Sequence, residues 1–364
     1  MLKLPKLTVL AVIALSSIPF VSYAGGGHGS QWYRSGSHED HGDNHFKLRV
    51  ALWGDAFYND DPLVVSRTID SMNEHNLDFT IFAGDTKSGS SLCTDAAIGQ
   101  EVVDIFNSLD APTLYTLGDN EWTDCHRINN GGYDPLERLD YLRQIFFDKN
   151  TMQGPNPIAV LRQGPLGGLY SENSRFVMNN VEFVALNVIG SNNNFVATES
   201  QCIKKSNRTW PSAACDAATA EYESRNIANV AWLQDAFQEA RDHHYAGVLI
   251  DIQADVYAPI ELSDGGYADN FLPTLDANNG YTDFFNTLIA ETNNYSGQVL
   301  LVHGDSHYFR IDKPMVDGDG FTVVNFTRVE VFGSADNSWV EMTVDPTTDN
   351  VFSFKPVIVP PLAP

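Results

Sequence analysis

From Phe46 onward the chain alternates short apolar runs with stretches of helical period. LRVALWGD, LDFTIFAGD and APTLYTLGD each read as a buried strand closed by Gly-Asp, because a short unbroken apolar run leaves no face for solvent. Between the first two, Asp61 with Pro62 reads as an N-cap and first-turn proline, and Val65, Ile69 and Met72 recur at helical spacing. Ile98, Val102, Ile105, Phe106 and Leu109 mark a second helical face, and Leu136, Leu139, Leu142, Ile145 and Phe146 a third. The order βαβαβα predicts a parallel sheet covered by helices.

The pattern then changes. SRFVMNNVEFVALNV reads as a hairpin turning at Asn179-Asn180. Residues 191–220, rich in Asn, Ser and Ala, read as a surface insert. A long helix follows, with Ile227, Val230, Leu233 and Phe237 on its apolar face, then a strand, AGVLIDIQAD. A further helix around 284–289 precedes QVLLVHGDSHYFRID, a fourth apolar run that ends in Gly-Asp. TVVNFTRVEVFG, WVEMTVDP and VFSFKPVIV alternate at period two and read as antiparallel strands.

The first 24 residues carry Lys3 and Lys6, an apolar core and a small-residue end at Ala24, the layout of a secretory signal. Residues 25–46, with His28, His38, His41 and His45 among glycines, read as a flexible leader. Residues 47–364 read as one domain without a membrane span, secreted or periplasmic. A net charge of −25 argues against a nucleic-acid backbone as partner. In an exported chain the four cysteines read as disulfides, with three connectivities open. Cys202 and Cys215 bracket the polar insert, so one bridge would close it locally. Cys93 and Cys125 each follow a Gly-Asp, where a bridge would tie neighbouring loops.

Four Gly-Asp pairs behind core strands give the pattern its chemistry. In an α/β sheet, ligands collect where the carboxyl ends of strands open into loops. Asp55, Asp85, Asp119 and Asp305 are all expected there. Carboxylates gathered at one edge repel one another, and a bound cation is the simplest remedy.

The order and context of these motifs resemble the calcineurin-like metallophosphoesterases, the superfamily that includes the purple acid phosphatases. That family's pattern is Asp-x-His, Gly-Asp, Gly-Asn-His-Asp/Glu, a lone His after a strand, and Gly-His-x-His. Here Asp55 fits the first aspartate, with Phe57 in the histidine's place, and Asp85 fits the bridging aspartate. Asp119 stands for the asparagine and Asn120 for the histidine proton donor. Gln253 stands for the lone histidine, Asp305 for the first histidine of the last motif, and His307 for the second. The resemblance implies an α/β fold, a four-layered α/β/β/α sandwich of two mixed sheets flanked by helices. It also implies two divalent metal ions and hydrolysis of a small phosphorylated substrate, a phosphomonoester or phosphodiester.

The implied ligands are Asp55, Asp85, Asp119, Gln253, Asp305 and His307. Exchanging imidazole for oxygen donors moves the preference from Zn or Fe toward Mn, Mg or Ca. Asn120 does not release a proton at ordinary pH, so His303 and His126 are the substitutes considered for that role. Lys87 and Arg310 are expected at the substrate phosphate. The loss of three family histidines, at Phe57, Asn120 and Gln253, together with the change of a fourth to Asp305, motivates a second expectation: a non-catalytic relative serving as a binding or structural module.

Overall fold

The computed structural model describes residues 47–58, 62–206, 212–257 and 277–360. The signal sequence, the leader and the expected N-cap at Asp61 lie outside the described residues. Strand β1 is Leu48–Trp53, β2 Phe79–Ala83 and β3 Thr113–Thr116; β4 is Leu161–Arg162, β5 Ser174–Met178 and β6 Val181–Ala185. Further on come β7 Gly247–Asp251, β8 Gln298–His303, β9 Arg310–Asp312, β10 Phe326–Glu330, β11 Trp339–Asp345 and β12 Val351–Val357.

The strands form two sheets, five-stranded in the order β12-β11-β1-β2-β3 and seven-stranded in the order β4-β5-β6-β7-β8-β10-β9. Both are mixed: β1, β2 and β3 run parallel, as do β6, β7, β8 and β10, while hairpin strands close the edges antiparallel. Their inner faces share one core, in which Phe79 of the first sheet lies edge-on to Phe176 and Phe183 of the second at ring separations of 5.4 and 5.2 Å. Burying each such ring stabilises the fold by roughly 1.5–3 kcal/mol. Helices Pro62–Asn73, Glu101–Asn107 and Pro135–Phe146 cover the outer face of the first sheet. Helices Ala213–His243 and Thr282–Asn293 cover that of the second. The fold is the expected α/β/β/α sandwich.

The Asn179-Asn180 hairpin stands as expected, both residues at positive φ (52° and 59°), as a two-residue hairpin turn requires. Four local readings need correction. The helix that contains Ile98 begins as a π-turn, Ala96–Gln100, before becoming α-helical. In the tail, β10 is antiparallel to β9 as expected but pairs parallel with β8, because period-two alternation reports a half-buried strand and not its direction. The segment read as a surface insert is divided: residues 190–194 lie against buried residues, and residues 213–220 open the long helix. In that helix Ile227 is 72% exposed, and the buried face at its N-terminal half holds Arg225, Asn226 and Asn229. Polar side chains take that face because they satisfy the backbone of Asn187 and Asn193.

At the opposite end of the second sheet, Glu182 of β6 is 1% exposed, and Arg175 Nη1 stands 3.5 Å from its Oε1. Arg175 is shared with Glu239 at 3.1 Å and lies over the Trp232 ring. Burial outweighs this partial pairing and pushes the Glu182 carboxyl up to about 8. Between its unfolded value near 4.5 and 8, the folded chain holds a proton that the unfolded chain has released. This contribution to stability is complete below pH 4.5 and is lost as pH rises toward 8, at up to about 1.4 kcal/mol per pH unit. Glu182→Gln is expected to match the parent at pH 5 and exceed it by about 1 kcal/mol or more at pH 8.5 in urea unfolding. An unchanged difference between the two pH values would contradict the assignment.

Candidate functional site

Each of the four Gly-Asp pairs follows the carboxyl end of a strand, β1, β2, β3 or β8, and the two sheets bring these ends together. Three of the aspartates adopt left-handed backbone: Asp55 at φ 47°, Asp85 at 60° and Asp305 at 76°. Strain of this kind persists where surrounding contacts impose it, and it gathers at functional sites. The chain packs tightly here. A Cβ on Gly304 would lie 1.8 Å from Asp55 Oδ2, and one on Gly118 would lie 2.0 Å from Asp85 Oδ1. Glycine at both positions is what lets the loops of different strands approach.

The carboxylates are linked by donors from one another's loops. The Asp305 N–H donates to both Asp55 oxygens, at 3.2 and 3.1 Å. Asn120 donates its backbone N–H to Asp85 Oδ1 at 3.0 Å and its side-chain amide to Asp85 Oδ2 at 2.7 Å. The Tyr58 hydroxyl lies between the first two aspartates, 3.2 Å from Asp55 Oδ1 and 3.2 Å from Asp85 Oδ2. Asp305 Oδ2 accepts from the Asp255 N–H at 3.1 Å. Asp119 Oδ2 and Asp305 Oδ1 both lie against Gly190, 2.8 and 2.9 Å from where a Cβ on it would stand.

Burial and like charge act together on these groups. Desolvation, followed by Asp305, raises the Asp55 carboxyl well above its ordinary range, and desolvation followed by Asp119 and Asp55 does the same at Asp85. Asp305 is pushed up to about 8 by burial and by Asp119. Glu121, also buried and raised, accepts from the Gly118 N–H at 2.7 Å and the Tyr115 hydroxyl at 3.0 Å, and its Oε2 has no partner among the described residues.

The remaining expected residues sort clearly. His307 Nδ1 lies 2.7 Å from the Ser334 carbonyl, so Nδ1–H donates there and leaves Nε2 on the side of Asp55 Oδ1, 3.6 Å away. That is the orientation of a metal-binding imidazole. Gln253 takes the Gly190 N–H on Oε1 at 2.6 Å and donates from Nε2 to Asp85 Oδ2 at 3.2 Å. Its oxygen is therefore engaged with backbone, and the expected role as an oxygen ligand would require the amide to turn and release Gly190. Lys87 is buried, donates to the Ser88 carbonyl at 2.9 Å, and is lowered by burial, with the charges of Glu121 and then Asp85 the strongest to oppose it.

His303, His126 and Arg310 stand apart from the carboxylates. His303 is fully buried, with Nδ1 2.9 Å from the Gly304 carbonyl and Nε2 3.9 Å from Asp255 Oδ1, and burial lowers it to about 4. His126 packs its Nδ1 against the Thr123 carbonyl and lines a cavity of about 220 Å³ whose walls include none of Asp55, Asp85, Asp119 and Asp305. Arg310 donates from Nη2 to Asp255 Oδ2 at 2.6 Å and forms an ion pair with Glu330 Oε2 at 2.6 Å. Ser306 joins the same network through Asp255 Oδ2 at 2.9 Å and Glu330 Oε1 at 2.5 Å. Arg310 thus braces the turn carrying Asp305 and His307, and no substrate is needed to explain it.

Tyr58, Asp255 and Glu330 carry no motif in the sequence, and Glu121 stands there only as the Glu that ends the third motif, Gly118-Asp119-Asn120-Glu121. Tyr58 lies three residues after Asp55 and Glu121 two after Asp119, so proximity to a motif was their available signal. Asp255 and Glu330 become visible only through packing. The four cysteines form the bridges Cys93–Cys125 and Cys202–Cys215.

The donor chemistry, mostly carboxylate oxygen with one imidazole, suits a hard divalent cation. As they stand, the side chains are turned toward the hydrogen bonds just described: among the described residues no group of three or more His, Cys, Asp or Glu is set to hold a metal ion. No described helix is long and apolar enough to cross a membrane.

No family model and no curated protein matches the chain. Among solved structures, it is similar to GAP50, the anchor in the inner membrane complex of Plasmodium, with a TM-score of 0.40 and 10% identity over 86% of this chain and 90% of that one. It is also similar to a 5′-nucleotidase from Candida albicans SC5314, with a TM-score of 0.41 and 13% identity over 86% of this chain and 51% of that one. Neither likeness assigns a family or an activity.

The Arg310 network yields a prediction. Arg310→Ala leaves Asp255 and Glu330 buried beside each other, and is expected to lower stability in urea unfolding by about 3 kcal/mol. A loss below about 0.5 kcal/mol, the range of an ordinary surface change, would return Arg310 to the pool of residues free for a ligand.

Proposed function

We propose that the chain is an exported, divalent-cation-dependent phosphoesterase acting on a small phosphomonoester or phosphodiester. One observation carries the reading: buried Asp55, Asp85 and Asp119 and half-buried Asp305, from strand ends in both sheets, meet in one region with His307 beside them. Their order along the chain is that of the resemblance drawn from the sequence. Bound cations, two in the family resembled, would activate a water molecule and balance charge on the phosphoryl oxygens. Asp85, between the Asp55 and Asp119 sides, would be shared; Asp55 and His307 would serve one side, and Asp119 and Asp305 the other. Mn, Mg or Ca suits this donor set better than Zn or Fe.

On this reading the chain's own residues have distinct tasks. Asn120 orients Asp85 through two hydrogen bonds and has no proton to give a leaving group. Lys87 supplies a nearby positive charge to the carboxylate group. Asn120 also favours a second reading, a non-catalytic module that keeps the fold and a cation.

The test is hydrolysis of p-nitrophenyl phosphate and its bis-ester by the mature chain, with Mn²⁺, Mg²⁺, Ca²⁺, Zn²⁺ and Fe²⁺ in turn. Turnover is expected with Mn²⁺ or Mg²⁺ and is expected to fall at least about 100-fold in Asp85→Asn. No Asp85-dependent turnover with any of these ions would contradict the enzyme and leave the module.

A further inference from the structure

The cavity of about 220 Å³ beside His126 takes its walls from separate stretches of the chain. Pro135 and Leu136 open helix Pro135–Phe146, Ala214, Ala217 and Ala218 belong to the first turns of helix Ala213–His243, and Val196 follows the turn at 190–194. Covalent bridges anchor these walls. Cys125, between the wall residues Thr123 and His126, is bonded to Cys93, and Cys215, itself in the wall, is bonded to Cys202. Thr123 Oγ1 donates to Asn194 Oδ1 at 2.8 Å and so joins two of the stretches. Segments tied in this way hold their spacing, and the space between them stands ready-made, as in most small-molecule sites.

The lining selects the kind of guest. Its polar side chains are already engaged: Asn194 Nδ2 donates to Glu221 Oε2 at 2.8 Å, Asp134 Oδ1 accepts from the Leu136 N–H at 2.9 Å, and His126 Nδ1 lies against the Thr123 carbonyl. A guest therefore gains little from hydrogen bonding and most from contact with the carbon of Pro135, Leu136, Val196 and the alanines. Among the described residues no lysine or arginine lines the cavity, while Asp134 does, so an anion would meet a carboxylate and no cation. Size sets the remaining limit. An apolar cavity of roughly 150 Å³ takes up benzene, and the larger space here admits one ring with a small substituent.

We propose that this cavity is a binding site for a compact, uncharged aromatic molecule, a single ring of about six to ten non-hydrogen atoms. The site is separate from the phosphoesterase reading, because none of Asp55, Asp85, Asp119 and Asp305 lines it.

The test is titration of the mature chain with toluene, followed by saturation-transfer NMR, for the parent and for Ala217→Phe, with benzoate at neutral pH as the charged counterpart and a melting curve for each protein. The parent is expected to bind toluene with a Kd of about 1 mM or tighter, as a ligand of this size allows. Ala217→Phe puts a ring of the protein's own into the space and is expected to weaken toluene binding at least about tenfold in a chain that still melts cooperatively. Benzoate is expected to bind at least about tenfold more weakly than toluene, since its carboxylate is desolvated without a partner. No toluene binding by the parent, or equal binding by folded Ala217→Phe, overturns the proposal. Benzoate that binds as tightly as toluene overturns it as well, by refuting the uncharged class. Should Ala217→Phe fail to fold, Leu136→Trp fills the cavity from another wall, and undiminished toluene binding there overturns the proposal in the same way.

Discussion

Mutual repulsion among buried carboxylates is the constraint on which this structure turns. Desolvation alone raises an aspartate, and each neighbour of like charge raises it further. Asp55, Asp85 and Asp305 feel both effects. The protein answers with donors: the Asp305 amide on Asp55, both nitrogens of Asn120 on Asp85, and the Asp255 amide on Asp305. These bonds make the carboxylates tolerable without removing the excess of negative charge. A buried arrangement that must be held together by so many amides is costly to keep for packing alone, and the cation proposed above would relieve its charge.

Much of the surrounding architecture serves that arrangement. Left-handed backbone at three of the aspartates and glycine at Gly118 and Gly304 let loops from both sheets converge. Below them, Thr116 Oγ1 of β3 donates to Asp251 Oδ2 of β7, a hydrogen bond from one sheet to the other just before Asp119 and Gln253. Behind Asp305, the ion pairs of Arg310 with Asp255 and Glu330 hold the turn that bears His307. The long helix adds Arg225 on the other side. Positioning is thus distributed over both sheets and their connecting segments, which is why so many buried polar residues lie near one edge.

The strands, their covering helices and the carboxylate edge were legible in the sequence because all are local signals, whereas the layering of two sheets came with the family resemblance. An unbroken apolar run followed by Gly-Asp reports a buried strand and its turn within eight residues. The direction of β10 was not legible, since alternation is the same for parallel and antiparallel neighbours. Nor was the buried face of the long helix, where Arg225 and Asn229 displace Ile227 inward-facing by apolar logic; their partners Asn187 and Asn193 are more than thirty residues away. The same holds for Gln253, whose residue type promised an oxygen donor, while the orientation of its amide is dictated by the Gly190 N–H. Arg310 looked free in the sequence because Asp255 and Glu330 meet it only in the folded chain.

Anomalous X-ray scattering from crystals of the mature protein grown with Mn²⁺ addresses the central claim most directly, because it locates the ion without reference to any substrate. The account predicts a peak within coordination distance of Asp85, with Asp119 and Asp305 turned toward it. Ordered carboxylates with no anomalous peak among them at saturating Mn²⁺ would contradict it.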